Sequence, residues 1–363
     1  MSLENVPEEL AAERSRAELR ERVHFAGGPT KQRQNVVAFK FGGSSLLGAD
    51  RMLHAAGLVR AATRASGVTV VVSAMKGVTD HLLSIARALA DGKLAHARRE
   101  AELVLHLHLD VLEDLQLSED DDLRVRRELQ LLGRDLLHEI PVHGRAAAAG
   151  AELFDRLASF GERFSARLFA AALEKSGVPA VPVTSSDFVL TCDTFRDAQP
   201  HLEKSKQRGR VVLLPLLEAG VVAVVTGFIG ATPDGRITTL GRNSSDFSGA
   251  IIAHVVDADE LVIWTDVDGI YTANPNESAE ARLLHELSYD EAHALAASGA
   301  KVLHAKVLPL AAETEMVVWV RNTFNPQARG TRIGTQRSLP DSRAASQDSV
   351  PICSISSQQR GAA

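Results

Sequence analysis

Apolar runs of strand length alternate with amphipathic stretches along most of the chain, beginning at residue 36. The strand candidates are rich in Val and Ile, which is typical of parallel strands that are covered on both faces. The predicted strands are 36–41, 68–74, 221–228, 260–266 and 316–322, and the predicted helices are 50–65, 79–91, 95–117, 121–138, 151–176, 245–257 and 289–298. This pattern predicts an α/β fold, a three-layer αβα sandwich with a mostly parallel central sheet.

Polar segments divide the chain into three predicted parts. Residues 1–35 are charged and are predicted to be an N-terminal extension, either a short amphipathic helix or a mobile segment. Residues 36–334 are predicted to form one α/β domain, with a helical insertion at about 95–138 that is able to pack on a partner subunit. Residues 335–363 read as a polar linker followed by "VPICSISSQQ", the expected first strand of a further, truncated domain.

Composition narrows the possible environment of the protein. The chain has 363 residues, 45% of them hydrophobic, and a formal net charge of −6, which disfavours general binding to nucleic acid. Its two cysteines, Cys192 and Cys353, lie far apart and have no zinc-ligand spacing. The amino terminus lacks the apolar core of a secretory signal, and no apolar run approaches the ~18 residues of a membrane span. We therefore expect a cytoplasmic protein with no nucleic-acid or membrane partner.

The stretch "VVAFKFGGSS" places a charge, Lys40, near the end of an otherwise apolar strand. A buried charge is costly unless it is paired, and ligands bind at the carboxyl ends of strands in open α/β sheets. Gly42 and Gly43 follow, and without Cβ atoms their N–H groups can approach an anion closely. We therefore predict a phosphate cradle with a lysine counter-charge, although a plain tight turn is the alternative. The stretch matches neither GxxxxGK[ST] nor GxGxxG.

A second stretch, "TTLGRNSSDFSGA", leads from a glycine turn into an apolar helix. Its Ser244, Ser245 and Asp246 are explained by N-capping alone, because Ser and Asp favour that position. The functional interpretation adds Arg242, whose planar guanidinium binds a carboxylate through two hydrogen bonds. The two interpretations are compatible, since a capped helix end would present its donors to the same anion.

The stretch "VIWTDVDGIYTANP" ends a buried strand in Thr265 and Asp266 and then turns towards Tyr271. Asp266 is a candidate for binding a ribose or a metal, and the alternative is that it only stabilises the turn.

Four more residues have ordinary explanations beside functional ones. Lys301, in "SGAKVLH", is explained as a solvated lysine at a helix C-terminus, and Glu162, in "GERFSARL", as an acid in the first turn of a helix. In "VVVSAMKGVTD", Ser73 ends a strand and Thr79 begins a helix, where capping would explain it.

Taken together and in order, these stretches resemble the aspartokinases of the amino-acid kinase family, from about residue 36 to residue 334. The wording of "WTDVDGIYT" and "NPQARGT" is most similar to the kinase part of bifunctional aspartokinases. Eight collinear blocks carry the resemblance: "KFGGSS", "VVSAMKGVTD", "GERFSARL", "TGFIG", "TTLGRNSSDFSGA", "IWTDVDGIYTANP", "SGAKVLH" and "NTFNPQARGTRI".

The resemblance implies an enzyme, an aspartate kinase that uses ATP to phosphorylate the β-carboxylate of L-aspartate to 4-phospho-L-aspartate. This would be the first step towards lysine, threonine and methionine. The implied catalytic residues are Lys40, Asp246 and Lys301. The implied nucleotide-binding residues are Lys40, Gly42, Gly43, Ser44, Thr265, Asp266, Tyr271 and Lys301. The implied aspartate-binding residues are Ser73, Thr79, Glu162, Arg242, Ser245 and Asp246, with Arg242 on the α-carboxylate and Glu162 on the α-ammonium.

The resemblance also implies ATP and Mg²⁺ as cofactors, with the Mg²⁺ held mostly by phosphate oxygens and water rather than by a protein metal site. A homo-oligomer is expected, either alone or as part of a bifunctional fusion. The relatives continue into paired ACT-type regulatory domains, and the C-terminal segment resembles only the opening strand of one.

Two departures from the family pattern leave alternatives open. Residues 274–276 are Asn-Pro-Asn where the family usually has Asp-Pro-Arg, so one phosphate-binding charge is missing. The family also often has His-Pro after "AKVL", where this chain has His304-Ala305-Lys306, and Lys306 is a candidate replacement for the missing charge. One rival is another amino-acid kinase of the glutamate or acetylglutamate type, and Arg242 with Glu162 disfavours the acetylated substrate. The other rival is a non-catalytic homologue that binds nucleotide or aspartate, against which Lys40, Asp246 and Lys301 argue.

Overall fold

A computed structural model describes residues 35–140, 150–242, 244–273, 278, 280–297 and 303–335. The segments predicted at 1–35 and 335–363 lie outside the described residues except for residues 35 and 335, and Lys301 and residues 274–276 lie outside them as well. The strands are β1 (Val36–Phe41), β2 (Gly67–Val72), β3 (Ala180–Val183), β4 (Val222–Thr226), β5 (Ile229–Ala231), β6 (Ile237–Thr239), β7 (Glu260–Thr265), β8 (Ile270–Tyr271), β9 (Leu283–Leu284), β10 (Glu286–Leu287), β11 (Val317–Asn322) and β12 (Thr331–Ile333).

The helices alternate with these strands. They are α1 (Ala49–Ala62), α2 (Val78–Ala90), α3 (Leu94–Asp114), α4 (Glu119–His138), α5 (Ala151–Lys175), α6 (Leu202–Glu218), α7 (Ser245–Val255), α8 (Tyr289–Ala297) and α9 (Val307–Glu313). Short 3-10 turns also occur at Gly43–Leu46 and Ser185–Asp187. In the described part of the chain, none of the helices is both long and apolar enough to cross a membrane.

The described residues form a central sheet of eight strands in the order β10-β12-β11-β7-β1-β2-β4-β3. Its pairs are parallel except for β11 with β12, so the predicted mostly parallel sheet is confirmed. The chain runs from β1 outwards to β2 and returns later to β7 on the other side of β1. The strand order therefore reverses beside β1, and such a switch point is where open α/β sheets bind ligands.

Different helices cover the two faces of the sheet. Phe39 and Phe41 of β1 share one apolar core with α1 to α5, whereas Ala38 shares a second core with α6, α7 and α9. Because side chains alternate along a strand, Lys40 projects to the same face as Ala38, towards α7. The predicted αβα sandwich is confirmed. The alternation of side chains along β1 determines that the buried lysine packs against α7.

The predicted helical insertion corresponds to α3 and α4, which pack on α2 and α5 of the same chain. Helix α4 begins with Ser118 as its N-cap, whose Oγ accepts from the N–H of Asp121 at 3.3 Å. Four acidic residues follow in its first turn, where they interact favourably with the helix dipole.

The sequence pattern missed two elements that contain proline. Helix α6 contains Pro215 near its end, and β3 contains Pro182, and proline weakens both patterns. Strand β3 lies at the edge of the sheet, the position where a strand tolerates proline. Helix α9 and the short strands after β4 were missed as well, because elements of two to seven residues carry little periodicity.

Candidate functional site

The buried charge of β1 is paired across the sheet surface with α7. Lys40 is only 7% exposed, and its Nζ lies 2.7 Å from Oδ1 of Asp246. The aliphatic stem of Lys40 packs on Gly249 of α7, where an added Cβ would lie 3.2 Å from the Cβ of Lys40. The lysine is therefore neutralised by a carboxylate in the first turn of α7, as expected for a charge on a buried strand.

The backbone after Lys40 forms the 3-10 turn Gly43–Leu46, which we call the phosphate turn, and α1 begins only at Ala49. An added Cβ at Gly43 would lie 2.5 Å from the carbonyl oxygen of Ala74, so packing on the loop after β2 requires this glycine. An added Cβ at Gly42 would lie 3.6 Å from Nζ of Lys40. The two glycines thus differ: Gly43 permits close packing on the loop after β2, whereas Gly42 lies beside the lysine ammonium. The first N–H groups of such a turn, at Gly43 and Ser44, have no acceptor within it.

The end of β2 is joined to the start of α7 by two serines. The Oγ of Ser73 donates to the Oγ of Ser245 at 2.9 Å, and the N–H of Ser73 donates to the carbonyl of Phe41 at 3.1 Å. Three side chains predicted for the site, those of Ser73, Ser245 and Asp246, therefore lie around the carboxyl ends of β1 and β2.

Glu162 lies in the middle of α5, so its explanation as an acid in the first turn of a helix is wrong. Its Oε1 accepts from the N–H of Ala74 at 3.1 Å, while its buried Oε2 has no hydrogen-bond partner in the described part of the chain. Burial raises the pKa of Glu162 to about 8, and the nearby ammonium of Lys40 opposes this shift. A buried carboxyl oxygen without a donor is costly, and an ammonium from a ligand would satisfy it.

Neither Thr79 nor Ser244 makes the side-chain capping hydrogen bond that would explain its place at a helix start. The N-cap of α2 is Gly77, and Thr79 is a half-buried residue inside the first turn. Ser244 is the N-cap of α7 but makes no side-chain capping bond, and within the described residues its buried Oγ is unpartnered. The interpretation as a cap is therefore wrong for Thr79, whereas Ser244 stands at the predicted N-cap position but lacks the capping hydrogen bond.

Arg242 lies just before the N-cap of α7. It is exposed, and among the described residues it makes no hydrogen bond or ion pair. Gly241 precedes it with a φ of 96°, a conformation that favours glycine and sets the direction of the chain into the helix. An exposed guanidinium without an internal partner suits recognition of a carboxylate.

The predicted nucleotide side begins at the carboxyl end of β7. The Oγ1 of Thr265 donates to Oδ1 of exposed Asp266 at 3.3 Å, and Tyr271 lies half-buried in β8. The carboxylate that structures this loop is Asp268, whose Oδ1 accepts from the side-chain amides of Asn322 and Asn325 at 2.8 and 3.1 Å. Sequence reasoning missed Asp268, although it stands in the same quoted stretch.

Lys306 lies near α7 with an acidic partner of its own. Its Nζ is 3.0 Å from Oδ1 of Asp197 and 5.8 Å from the ring centre of Phe247, on which His304 stacks. Its role as a replacement for the missing family charge stays a prediction. In the described segments, no three His, Cys, Asp or Glu side chains are grouped so as to hold a metal ion.

These groups define an α/β protein in which a lysine–aspartate ion pair, a glycine-led turn and a buried carboxylate lie around the carboxyl ends of β1 and β2. The model of the amino acid kinase family matches residues 35–322. The chain belongs to this family.

The curated relatives of the chain include aspartokinases of several kinds. Lysine-sensitive aspartokinase 3 of Escherichia coli is 34% identical over 307 residues, covering 84% of this chain and 65% of that protein. The chloroplastic aspartokinase 1 of Arabidopsis thaliana is 32% identical, with coverages of 84% and 52%. A chloroplastic bifunctional aspartokinase/homoserine dehydrogenase of Zea mays is 32% identical, with coverages of 82% and 32%. The chain thus spans less than two thirds of the length of each of these relatives.

The solved structures agree with the sequence relatives. Aspartokinase III of E. coli in complex with aspartate and ADP superposes with a TM-score of 0.76 at 32% identity, covering 84% of this chain and 66% of that one. The same enzyme in complex with lysine and aspartate gives a TM-score of 0.74.

Proposed function

We propose that this protein is an aspartate kinase, which transfers the γ-phosphoryl group of ATP to the β-carboxylate of L-aspartate. The observation that carries the proposal is the convergence of the Lys40–Asp246 pair with Glu162, which has a buried, unpartnered oxygen. An anionic phosphate suits the lysine side, and the ammonium of an amino acid suits the glutamate side. The aspartate and ADP bound by a relative with the same fold support this choice of ligands.

On the phosphate side, Lys40 and the N–H groups of the phosphate turn would bind the transferred phosphoryl group, and Ser44 lies in that turn. Thr265, Asp266 and Tyr271 would line the nucleotide, and Lys301 would be a second phosphate lysine. Asp246 would act through Lys40, because its carboxylate is 2.7 Å from the ammonium and fixes where that charge points.

On the amino-acid side, Glu162 would bind the α-ammonium and Arg242 the α-carboxylate. Ser73 and Ser245, already hydrogen-bonded to each other, would meet the side chain of the substrate together with Thr79. This division favours an unmodified amino acid over an acetylated one, since acetylation removes the positive charge that Glu162 would pair with.

The reaction needs little acid–base chemistry from the protein. The β-carboxylate is already ionised at neutral pH, so the main difficulty is the repulsion between two anions. Preorganised positive groups offset that repulsion, and positioning contributes the rest. Mg²⁺, when bound, would supply further charge neutralisation; phosphate oxygens and water would hold it, with exposed Asp266 as a protein ligand of the kind it prefers.

The biological setting is part of the same proposal. Phosphorylated aspartate would enter the synthesis of lysine, threonine and methionine, and the protein would work in the cytoplasm as a homo-oligomer. Light scattering on the purified chain measures its mass in solution, and a monomeric mass would remove the oligomer from the proposal.

Trapping of the acyl phosphate with hydroxylamine tests the activity directly. The chain is incubated with ATP, Mg²⁺ and either L-aspartate or L-glutamate, with the Lys40→Met variant as control. We expect the parent protein to form a hydroxamate with aspartate but not with glutamate, and the variant to form almost none with either substrate. Product from glutamate would favour the glutamate-type alternative. Aspartate or nucleotide binding without any product would favour the non-catalytic homologue.

A further inference from the structure

Residues 322–325, which comprise the last residue of β11 and the three residues after it, contact the phosphate turn through a fully buried hydrogen bond. The hydroxyl oxygens of Thr323 and Ser45 are 2.7 Å apart, and both residues are 0% exposed. The carbonyl of Thr323 accepts from Nε2 of His54 at 2.6 Å, and His54 lies on α1, the helix after the turn. The far half of the phosphate turn is therefore fixed by a residue 278 positions away in the chain.

The same segment also holds the loop between β7 and β8, residues 266–269. The N–H of Thr323 donates to the carbonyl of Thr265 at 2.8 Å, where that loop begins. The side-chain amides of Asn322 and Asn325 both donate to Oδ1 of Asp268. Thr323 thus contacts one loop through its backbone and the phosphate turn through its side chain.

We propose that residues 322–325 are a positioning element that fixes the phosphate turn and the β7–β8 loop relative to each other, with Thr323 as the positioning residue. This rests on the proposed function only in assigning a nucleotide to those two loops. A nucleotide that contacts both is bound well only if their separation is set before it arrives, because ordering mobile groups on binding costs affinity. The hydroxyl pair is suited to this task, since removing one partner leaves the other buried and unsatisfied.

The test compares Thr323→Val, which removes the hydroxyl at nearly constant volume, with Thr323→Ser, which keeps it. We expect Thr323→Val to raise the KM for ATP about fivefold, leave the KM for aspartate within about twofold, and lose little kcat. Thr323→Ser should restore the parent KM for ATP. Ser45→Ala removes the other half of the same bond and should reproduce the effect if Thr323→Val fails to fold.

Thr191→Val is the matched control. Thr191 and Thr238 form another pair of fully buried threonine hydroxyls, 2.6 Å apart, beside the small β5–β6 sheet. The control removes the same chemical group from the same kind of pair, so it should lower stability without changing the KM for ATP. An equal rise in the KM for ATP in the control, or an unchanged KM in both Thr323→Val and Ser45→Ala, would overturn the proposal.

Hydrogen exchange on the nucleotide-free protein separates this proposal from the proposed function. Thr323→Val should speed exchange of two hydrogen-bonded amides together, by about tenfold: that of Ser45 in the phosphate turn and that of Ile270 where the β7–β8 loop ends. Thr191→Val should leave both unchanged. A chain that phosphorylates no amino acid but shows this paired change would retain the positioning element and lose the proposed function. Faster exchange at only one of the two loops, or at neither, would contradict the positioning role even in an active kinase.

Discussion

The Nζ of Lys40 lies 2.7 Å from Oδ1 of Asp246, joining the middle strand of the sheet to the first turn of α7. The lysine side chain is 9% exposed and the aspartate side chain 20%, so most of the pair is shielded from water. Within this partly dry site the ammonium keeps a fixed direction, and its interaction with a second anion is screened less than in water. The ion pair therefore fixes the position of the Lys40 ammonium at the switch point of the sheet.

Lys40→Met should lower kcat by about a hundredfold or more, equivalent to roughly 3 kcal/mol, and change aspartate affinity little. The reason is that Lys40 acts on charge that develops during transfer, whereas aspartate would be bound by Arg242 and Glu162. Steady-state kinetics and aspartate titration measure the two quantities. Lys93→Met is the control, because its ion pair with Asp91 is largely exposed and remote from the site. A variant with normal kcat and weaker substrate affinity would contradict this role.

Gly43→Ala should damage the site through packing. The new Cβ would meet the carbonyl oxygen of Ala74 at 2.5 Å and the backbone nitrogen of Lys76 at 3.0 Å, and neither can move without shifting the loop after β2. We expect a loss of about 1–3 kcal/mol in unfolding free energy and at least about tenfold in kcat/KM. Gly57→Ala is the control: an added Cβ there meets nothing within 4 Å and should stabilise α1 slightly. Equal stability of the two variants in urea would refute the packing argument.

Arg242→Lys should raise the KM for aspartate about tenfold, because a single ammonium cannot reproduce two parallel hydrogen bonds to a carboxylate. The KM for ATP should stay within about twofold. Arg126→Lys is the control, since Arg126 binds Asp122 through Nε and Nη2 at 2.9 and 3.2 Å on α4, away from the site. If the aspartate KM does not change in Arg242→Lys, Arg242 is not part of the pocket.

The buried strand lysine illustrates how far the sequence leads. A charge inside an apolar strand had to be paired and had to lie at a ligand-binding edge, and the structure confirms that it is paired. The identity of the partner could not be read from pattern alone, because β1 and α7 are about two hundred residues apart and only the fold brings them together. Resemblance to a known family selected Asp246, but it suggested contact with substrate and not the ion pair with Lys40.

Other parts of the site were not predicted from the sequence, for related reasons. Asp268 and Thr323 form hydrogen bonds with residues that are far away in the sequence. Neither the residue type nor the spacing along the chain predicts such contacts. Glu162 was assigned to the first turn of a helix although the helix predicted over 151–176 begins well before it, and α5 runs through Gly161 without a break. That glycine lets α5 pack closely, since an added Cβ would lie 2.6 Å from the Cβ of Ala74.

Glu162→Gln should change how stability depends on pH. Burial raises the pKa of Glu162 from 4.5 to about 8, so between these values the folded protein holds a proton that the unfolded chain has released. The stability that protonated Glu162 contributes is fully present below pH 4.5 and is lost as the pH rises to about 8. Over this range the free energy of unfolding falls by up to about 1.4 kcal/mol per pH unit. Glutamine keeps the acceptor for the N–H of Ala74 and removes the titration.

Urea unfolding at pH 5, 6.5 and 8 measures this effect. The unfolding free energy of Glu162→Gln minus that of the parent should grow steadily with pH, while Glu218→Gln, at the exposed end of α6, should differ from the parent by a constant amount. A difference that stays constant for Glu162→Gln would mean that Glu162 is ionised throughout this range in the folded protein.

Binding of L-aspartate should release a proton from the same residue. In the ligand-free protein at pH 7 most Glu162 carboxyls are protonated, because burial raises the pKa to about 8. An α-ammonium placed against Oε2 favours the carboxylate, so the proton leaves as the substrate enters. Calorimetry in buffers of different ionisation enthalpy should detect close to one proton released per site at pH 7, and a much smaller release at pH 9. Glu162→Gln should bind aspartate more weakly and release no proton, and release by this variant equal to that of the parent would assign the proton to another group.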